Sequence, residues 1–346
     1  MRAAFFVEPG RMVVKNASLP VIEKPTDAII RVVDACVCGS DLWWYRGISP
    51  RTPGLTGHEA TGVVEEVGDA VTRVKPGDFV VVPFTHGCGY CPACRAGFDA
   101  NCANTEGGGN AGYQAEFMRA TNADGSLVVV PGDPAAFSDA LRASLLTLSD
   151  VMATGYHAAF SAEVGPGDTA VVVGDGAVGL CGVLAAGMRG AERIIAMSRH
   201  EDRQALAREF GATDVVAARG DEGVAEVLDL TEGAGADAVL ECVGSNEATA
   251  TAIGVARPGT VVGRVGVPHF VEIDLAPLFW KNIGLRGGPA SVTTHDRGVL
   301  LDAVLAGAID PGRVFTKTFS LDEVQEAYAA MDERRAIKSL LRIGDI

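Results

Sequence analysis

The sequence predicts an α/β protein of two domains, one rich in short strands and one built as a doubly wound parallel sheet. Three observations predict it. The 346 residues exceed what one ordinary core holds, and 48% hydrophobic residues with 43 glycines suit a compact globular chain. Before about residue 150, β-branched runs such as Ala28 to Val33, Thr61 to Val67 and Phe79 to Phe84 are broken by Gly, Pro and Asp, and helical periodicity is scarce. From Gly165 the pattern becomes strand, glycine turn, helix, repeated: TAVVV, GDGAVG, LCGVLAAGMRG, RIIAM, then a helical stretch around EDRQALAREFGA. That alternation is the mark of βαβ units on a parallel sheet.

Charge narrows the function. With 29 Lys and Arg against 44 Asp and Glu, the net charge of -15 disfavours nucleic acid, whose binding rests on neutralising phosphates. The opening MRAAFFVEPGRM holds an apolar stretch too short for a signal peptide, and it meets Glu8 and Pro9 at once. Nothing approaches the roughly 20 apolar residues that span a bilayer. A soluble, cytoplasmic protein without a membrane partner is the expectation.

Within the strand-rich part, Cys88, Cys91, Cys94 and Cys102 lie in the run CGYCPACRAGFDANC. The spacing C-x2-C-x2-C-x7-C lets four thiolates converge tetrahedrally on one ion, which reads as a closed structural zinc site. Two rivals stand beside it. A disulfide pair does not suit an otherwise cytosolic-looking enzyme, and a bacterial iron-sulfur cluster has a shorter last gap.

In the second part, Gly174, Gly176 and Gly179 form G-x-G-x-x-G directly after the strand Thr169 to Val173 and at the opening of a helix. Such glycines allow a tight turn, close approach of a pyrophosphate and helix-strand packing, while the helix N-terminus attracts phosphate. Gly174, Gly176, Ala177, Val178 and Gly179 are therefore candidate cofactor-binding residues, the alternative being an ordinary βα turn. The end of the next strand bears on which dinucleotide binds. NAD sites place an Asp or Glu there for the ribose 2′-hydroxyl. Here the stretch is Ile195-Ala196-Met197-Ser198-Arg199-His200, in which Ser198 can hydrogen-bond a 2′-phosphate and Arg199 can neutralise it. This favours NADP. The other reading makes Arg199 a solvated cation near Glu201 and Asp202.

Cys38 in Val37-Cys38-Gly39-Ser40-Asp41, His58-Glu59 in GHEATGVVEEVGDAV, and Asp150 in LTLSDVMATGYH supply ligands of mixed softness. Thiolate, imidazole and carboxylate are the composition of an open catalytic zinc site. Each also has a plain reading: a buried thiol, a satisfied core histidine, a helix N-cap.

The segment GHEATGVVEEVGDAV matches G-H-E-x2-G-x5-G-x2-V at every fixed position. With CGSD, the four-cysteine lobe and the glycine turn, the chain resembles the zinc-containing alcohol dehydrogenases of the medium-chain dehydrogenase/reductase superfamily over nearly its whole length. In place of the usual two cysteines and one histidine, Asp150 stands third, as in the branch with bacterial secondary-alcohol and formaldehyde dehydrogenases. The resemblance implies a GroES-like catalytic domain over 1–153 and 290–346 and a Rossmann domain over 154–289. It implies that Cys38, His58 and Asp150 hold catalytic zinc, with Glu59 beside it or as an alternate ligand. Ser40 would bond the substrate oxygen, Thr154 and Gly155 would border the cofactor, and Lys338 in AIKSLLRI would reach its pyrophosphate. Where many relatives carry a proton-passing histidine, this chain has Trp43, so the relay beyond Ser40 departs from theirs. Trp43, Trp44 and Tyr45 read either as an apolar pocket wall or as core and subunit-contact aromatics.

The function so implied is hydride transfer between a small alcohol, or its ketone or aldehyde, and NADP(H), in a homodimer or homotetramer. Two alternatives accompany it: an NAD-dependent polyol, threonine or formaldehyde-type dehydrogenase of the same family, and a non-catalytic zinc-binding protein that keeps the fold.

Overall fold

The computed structural model describes residues 1–105, 112–269 and 271–346. Its two compact units are Met1–Asp150 with Ser291–Ile346, and Val151–Ala290. The chain passes into the second unit at the start of the helix Val151–Ser161, which packs on the helix Ala177–Met188.

The first unit is built on strand Ala28–Cys36. Its run AIIRVVDAC is buried almost throughout, because both faces of this strand are covered. It pairs antiparallel with Ala60–Val67, with Phe117–Ala120 and, from the far end of the chain, with Lys338–Arg342. The larger sheet runs Phe315–Ser320, Lys338–Arg342, Ala28–Cys36, Ala60–Val67, Phe79–Val82, Val128–Val129. A smaller sheet pairs Arg2–Glu8 with Arg11–Asn16 and with Gly54–Leu55. The register that sets Leu340 opposite Cys36 and Ala60 opposite Ala35 decides the site, since Lys338, Cys38 and Glu59 all lie just beyond these pairs.

Trp44 and Tyr45 belong to this unit's core. Trp44 meets the Phe6 ring edge-on at 4.9 Å, and the Tyr328 ring lies 5.5 Å from Trp44 and 5.4 Å from Tyr45. Trp43 is half-buried.

In the second unit six parallel strands run in the order Asp214–Val216, Arg193–Met197, Thr169–Val173, Ala238–Glu241, Val261–Arg264, Gly284–Gly287. Counted along the chain this is 3-2-1-4-5-6, the order of a doubly wound dinucleotide-binding sheet. Such sheets bind ligands outside the carboxyl ends of the strands where the order reverses, here beside Thr169–Val173. The glycine turn follows that strand, and the helix Ala177–Met188 opens from Gly176. Among the described residues no helix is long and apolar enough to cross a membrane.

Candidate metal centres and dinucleotide turn

All eight cysteines are unbridged. Cys88, Cys91, Cys94 and Cys102 bring their sulfurs within 4.8 Å of one another. Cys91 Sγ lies 3.5 Å from that of Cys94 and 3.8 Å from that of Cys102. Four Zn–S bonds of about 2.3 Å arranged tetrahedrally put sulfurs about 3.8 Å apart, so the lobe fits one zinc ion. Backbone N–H groups already point at the sulfurs: Cys88 N and Asn104 N donate to Cys102 Sγ at 3.2 Å, and Cys91 N to Cys88 Sγ at 3.4 Å. Backbone donors, that of Cys94 foremost, bring Cys91 down to about 6. Burial together with the neighbouring sulfurs pushes Cys94 up to about 12. Four thiols this close cannot all ionise unless a cation offsets their charge.

The second cluster unites Cys38, His58, Glu59 and Asp150, all buried, with one ligand atom of each within 4.8 Å of the others. Cys38 Sγ is 3.6 Å from Asp150 Oδ2, and His58 Nε2 is 3.6 Å from the same oxygen. Each residue arrives by its own route. Cys38 follows the strand Ala28–Cys36, and Asp150 ends the segment after the helix Asp139–Thr147. His58 is reached through Gly57, whose φ of +92° and whose missing Cβ, which would lie 2.7 Å from the Gln114 backbone N, admit only glycine without strain. Ser40 Oγ donates to Cys38 Sγ at 3.2 Å.

The charges explain what such a cluster needs. Burial raises the Cys38 thiol, and Asp150 and Glu59 raise it further. Burial opposes a charged His58, but Asp41 and Cys38 outweigh it and hold the imidazole well above its usual value. Burial also raises Glu59, Lys338 pulls it back, and Asp150 raises it again. Glu59 Oε1 accepts from Lys338 Nζ at 2.7 Å, while its Oε2 is buried without a hydrogen-bond partner. Acid groups and thiols thus outnumber cations in a dry volume, a condition that protons or a metal ion must relieve. The donor set of one sulfur, one imidazole nitrogen and carboxylate oxygen suits zinc.

Two partners of this cluster were not assigned from sequence. Asp41 Oδ1 stands 3.6 Å from His58 Nδ1, with Oδ2 accepting from Cys38 N and Tyr328 Oη. It stands on the side of the imidazole where carboxylates behind metal-ligating histidines lie, although at this distance His58 Nδ1 makes no hydrogen bond. Its only sequence signal was membership of the CGSD run. Lys338 is the other: the resemblance sends it to the coenzyme's pyrophosphate, whereas the strand Lys338–Arg342 carries its ammonium into the interior against Glu59 and the Val37 carbonyl, 3.2 Å away.

In the second unit, Gly174 has φ +119°, and a Cβ on Gly179 would lie 1.9 Å from the Gly174 carbonyl oxygen, so neither tolerates a side chain. A Cβ on Gly176 would meet nothing within 4 Å. A closed turn with open space at its centre fits a pyrophosphate at the N-terminus of Ala177–Met188. Thr154 is buried on the helix Val151–Ser161, and the adjacent Gly155 lets that helix approach Cys181 and Gly182 closely. Ser198 is buried at the end of Arg193–Met197, and Arg199 is exposed. Sequence reasoning missed Asp175 and Arg203, which join Ser198 here.

Comparison with known proteins agrees with this geometry. A family profile described as an alcohol dehydrogenase GroES-like domain matches residues 24–132, and one described as a zinc-binding dehydrogenase matches 177–295. The chain is 33% identical to zinc-type alcohol dehydrogenase B of Aspergillus flavus, over 100% of this chain and 82% of that protein. It belongs to the zinc-containing alcohol dehydrogenases of the medium-chain dehydrogenase/reductase superfamily. An NADP-dependent isopropanol dehydrogenase of Thermoanaerobacter brockii is 31% identical over 90% of each chain. The solved alcohol dehydrogenase of Thermus sp. ATN1 is 32% identical and superposes with a TM-score of 0.89, covering 99% of this chain and 100% of that one. This dehydrogenase is accordingly an alcohol oxidoreductase acting on small molecules, with a GroES-like domain and a parallel-sheet nucleotide domain.

Proposed function

We propose that the protein exchanges a hydride between a small alcohol, or the matching ketone or aldehyde, and a nicotinamide coenzyme, with NADP(H) preferred over NAD(H). The observation that carries the reading is the buried cluster of Cys38, His58, Glu59 and Asp150. Zinc at such a set polarises an alcohol or carbonyl oxygen, and the nicotinamide carries the hydride. The chain's own groups do the rest. Cys38, His58 and Asp150 hold the ion, Asp41 stands behind the imidazole, and Lys338 donates to Glu59 and turns it to one side. Ser40 Oγ, beside Cys38 Sγ, accepts the proton that leaves the substrate hydroxyl. Where many relatives carry a proton-passing histidine this chain has Trp43, whose indole only donates a hydrogen bond, so Ser40 passes its own hydroxyl proton on to water as it takes up the substrate's. Cys88, Cys91, Cys94 and Cys102 hold a second, structural zinc.

The coenzyme turn is Gly174, Gly176, Ala177, Val178 and Gly179, bordered by Thr154, with Ser198 and Arg199 toward the 2′-position. The similarity to an NADP-dependent isopropanol dehydrogenase supports both NADP and a secondary alcohol. A homo-oligomer is supported by the helix Leu275–Lys281, which exposes 76% of Phe279 and 82% of Trp280 side by side, an apolar patch of the kind that marks protein contacts. We place the enzyme in the cytoplasm, where four clustered thiols stay reduced.

The test is turnover of primary, secondary and polyhydric alcohols by zinc-loaded protein with each coenzyme. Higher kcat/KM with NADP, inverted by Ser198→Asp with Arg199→Ala, is the expected result. Preference for NAD in the unaltered protein would remove the NADP reading. No turnover with both metal positions filled would leave a zinc-binding protein without catalysis.

A further inference from the structure

Ser198 and Arg199 stand where a 2′-phosphate would be met, yet in the folded chain their donors already serve an anion. Asp175, the residue between the first two glycines of the turn, accepts from Ser198 Oγ at 3.1 Å and from the Arg199 backbone N at 3.3 Å, both on Oδ2. Its Oδ1 accepts from Arg203 Nη1 at 3.1 Å. The carboxylate is 10% exposed and its arginine partner 14%, so the pair is shielded from solvent and salt. Gln204 Nε2 donates to the Ser198 carbonyl at 2.8 Å, which fixes the backbone at that residue.

We infer that Asp175 limits the NADP preference of this enzyme, by filling with its own carboxylate two of the donors that a 2′-phosphate would use. The inference rests on the reading that a dinucleotide lies along the Gly174–Gly179 turn. A carboxylate at this point has opposite consequences for the two coenzymes. A ribose diol gains an acceptor, the role that dinucleotide sheets usually give to an acid at the end of the second strand. The 2′-phosphate meets a like charge, and it must take Ser198 Oγ and Arg199 N away from Asp175 before it can be bound. Burial alone would push the Asp175 carboxyl up, but Arg203 and Ser198 hold it below the usual range, so protonation gives no relief near neutral pH. Specificity then comes from a repulsive element inside the glycine motif as well as from the attractive pair after the strand. Asp175 limits an NADP preference that Ser198 and Arg199 would otherwise make larger.

The experiment is calorimetric titration of zinc-loaded protein with adenosine 2′,5′-bisphosphate and with 5′-AMP, which reads affinity without turnover. Asp175→Asn keeps the side-chain shape and removes the charge. It should tighten the bisphosphate by about tenfold, the scale of one charge-assisted hydrogen bond released to the ligand, while 5′-AMP binds no tighter than before. Asp175→Ser serves as the second variant should the amide disturb the turn, and a melting curve for each shows that the fold persists. Arg199→Ala tests the underlying reading separately and should weaken the bisphosphate alone. If both Asp175 variants leave the ratio of the two affinities unchanged while Arg199→Ala lowers it, Asp175 is not a specificity residue and the coenzyme reading stands. If the unaltered protein binds neither nucleotide, the dinucleotide reading fails and takes this inference with it.

Discussion

Removing the ammonium of Lys338 is the sharpest test of how the buried cluster of Cys38, His58, Glu59 and Asp150 is held. Lys338 and Glu59 are each about 1% exposed and their charged atoms are 2.7 Å apart, across 279 residues of sequence. Burial opposes the charged lysine, but Cys36, Glu59, Cys38 and Asp150 around it keep it protonated far above the ordinary range. Lys338→Met keeps the length of the side chain and strands Glu59 as a buried carboxylate with Asp150 nearby. Breaking a buried pair from one side costs about 3–5 kcal/mol, whereas replacing both partners is often close to neutral. In a unit of this size about 4 kcal/mol lowers the melting temperature by roughly 8–16 °C. The assay is a double-mutant cycle with Glu59→Gln, followed by denaturant unfolding of zinc-loaded and chelator-treated protein. The double variant should recover at least about 2 kcal/mol over the sum of the single losses, as residues in direct contact do. Lys338→Met within about 1 kcal/mol of the unaltered protein, or losses that add within about 0.5 kcal/mol, would refute the claim that the pair braces the cluster.

Further expectations follow from the same geometry. The protein should carry two zinc ions per chain by elemental analysis, falling to one in Cys94→Ser with a lowered melting temperature and to one in Cys38→Ser with the fold kept and turnover lost; equal destabilisation in the two would undo this division of labour. Asp41→Asn should weaken zinc at the catalytic cluster by about 10–100-fold, the usual effect of losing a carboxylate behind a ligating histidine, and unchanged metal affinity in competition with a chelator would return Asp41 to a purely structural role. His157, buried on the helix Val151–Ser161, offers a pH test. Burial and then Arg286 lower it from 6.5 to about 4, so the unfolded chain takes the proton first. The stability it contributes is complete above pH 6.5 and is lost as pH falls through about 4, by at most about 3 kcal/mol. His157→Gln should flatten that part of the stability profile, and an unaltered slope would show that other groups govern it.

Much of the chemistry was legible before any fold was known, and the legible part is local in sequence. The four-cysteine lobe and the glycine turn each occupy one short stretch, so spacing alone brings their groups together. The switch from short β-branched runs to repeated strand, glycine and helix likewise separates the two kinds of domain, because backbone periodicity is written residue by residue. Cys38, His58 and Asp150 were candidates by donor type, but only resemblance to a family put them at one ion, since Cys38 and Asp150 lie 112 residues apart. Their meeting depends on strand register, Ala60 against Ala35 and Leu340 against Cys36, and a one-residue slip would send every side chain to the opposite face. The same register carries Lys338 to Glu59, a partnership that neither pattern nor spacing announces. Asp175 shows the limit most plainly. Within GDGAVG it reads as a turn residue, and only the parallel pairing that sets the end of Arg193–Met197 beside the turn after Thr169–Val173 makes it the acceptor for Ser198, Arg199 and Arg203. Local geometry determines which groups a segment can offer, whereas long-range strand pairing decides which groups meet, and with them the charge balance of each site.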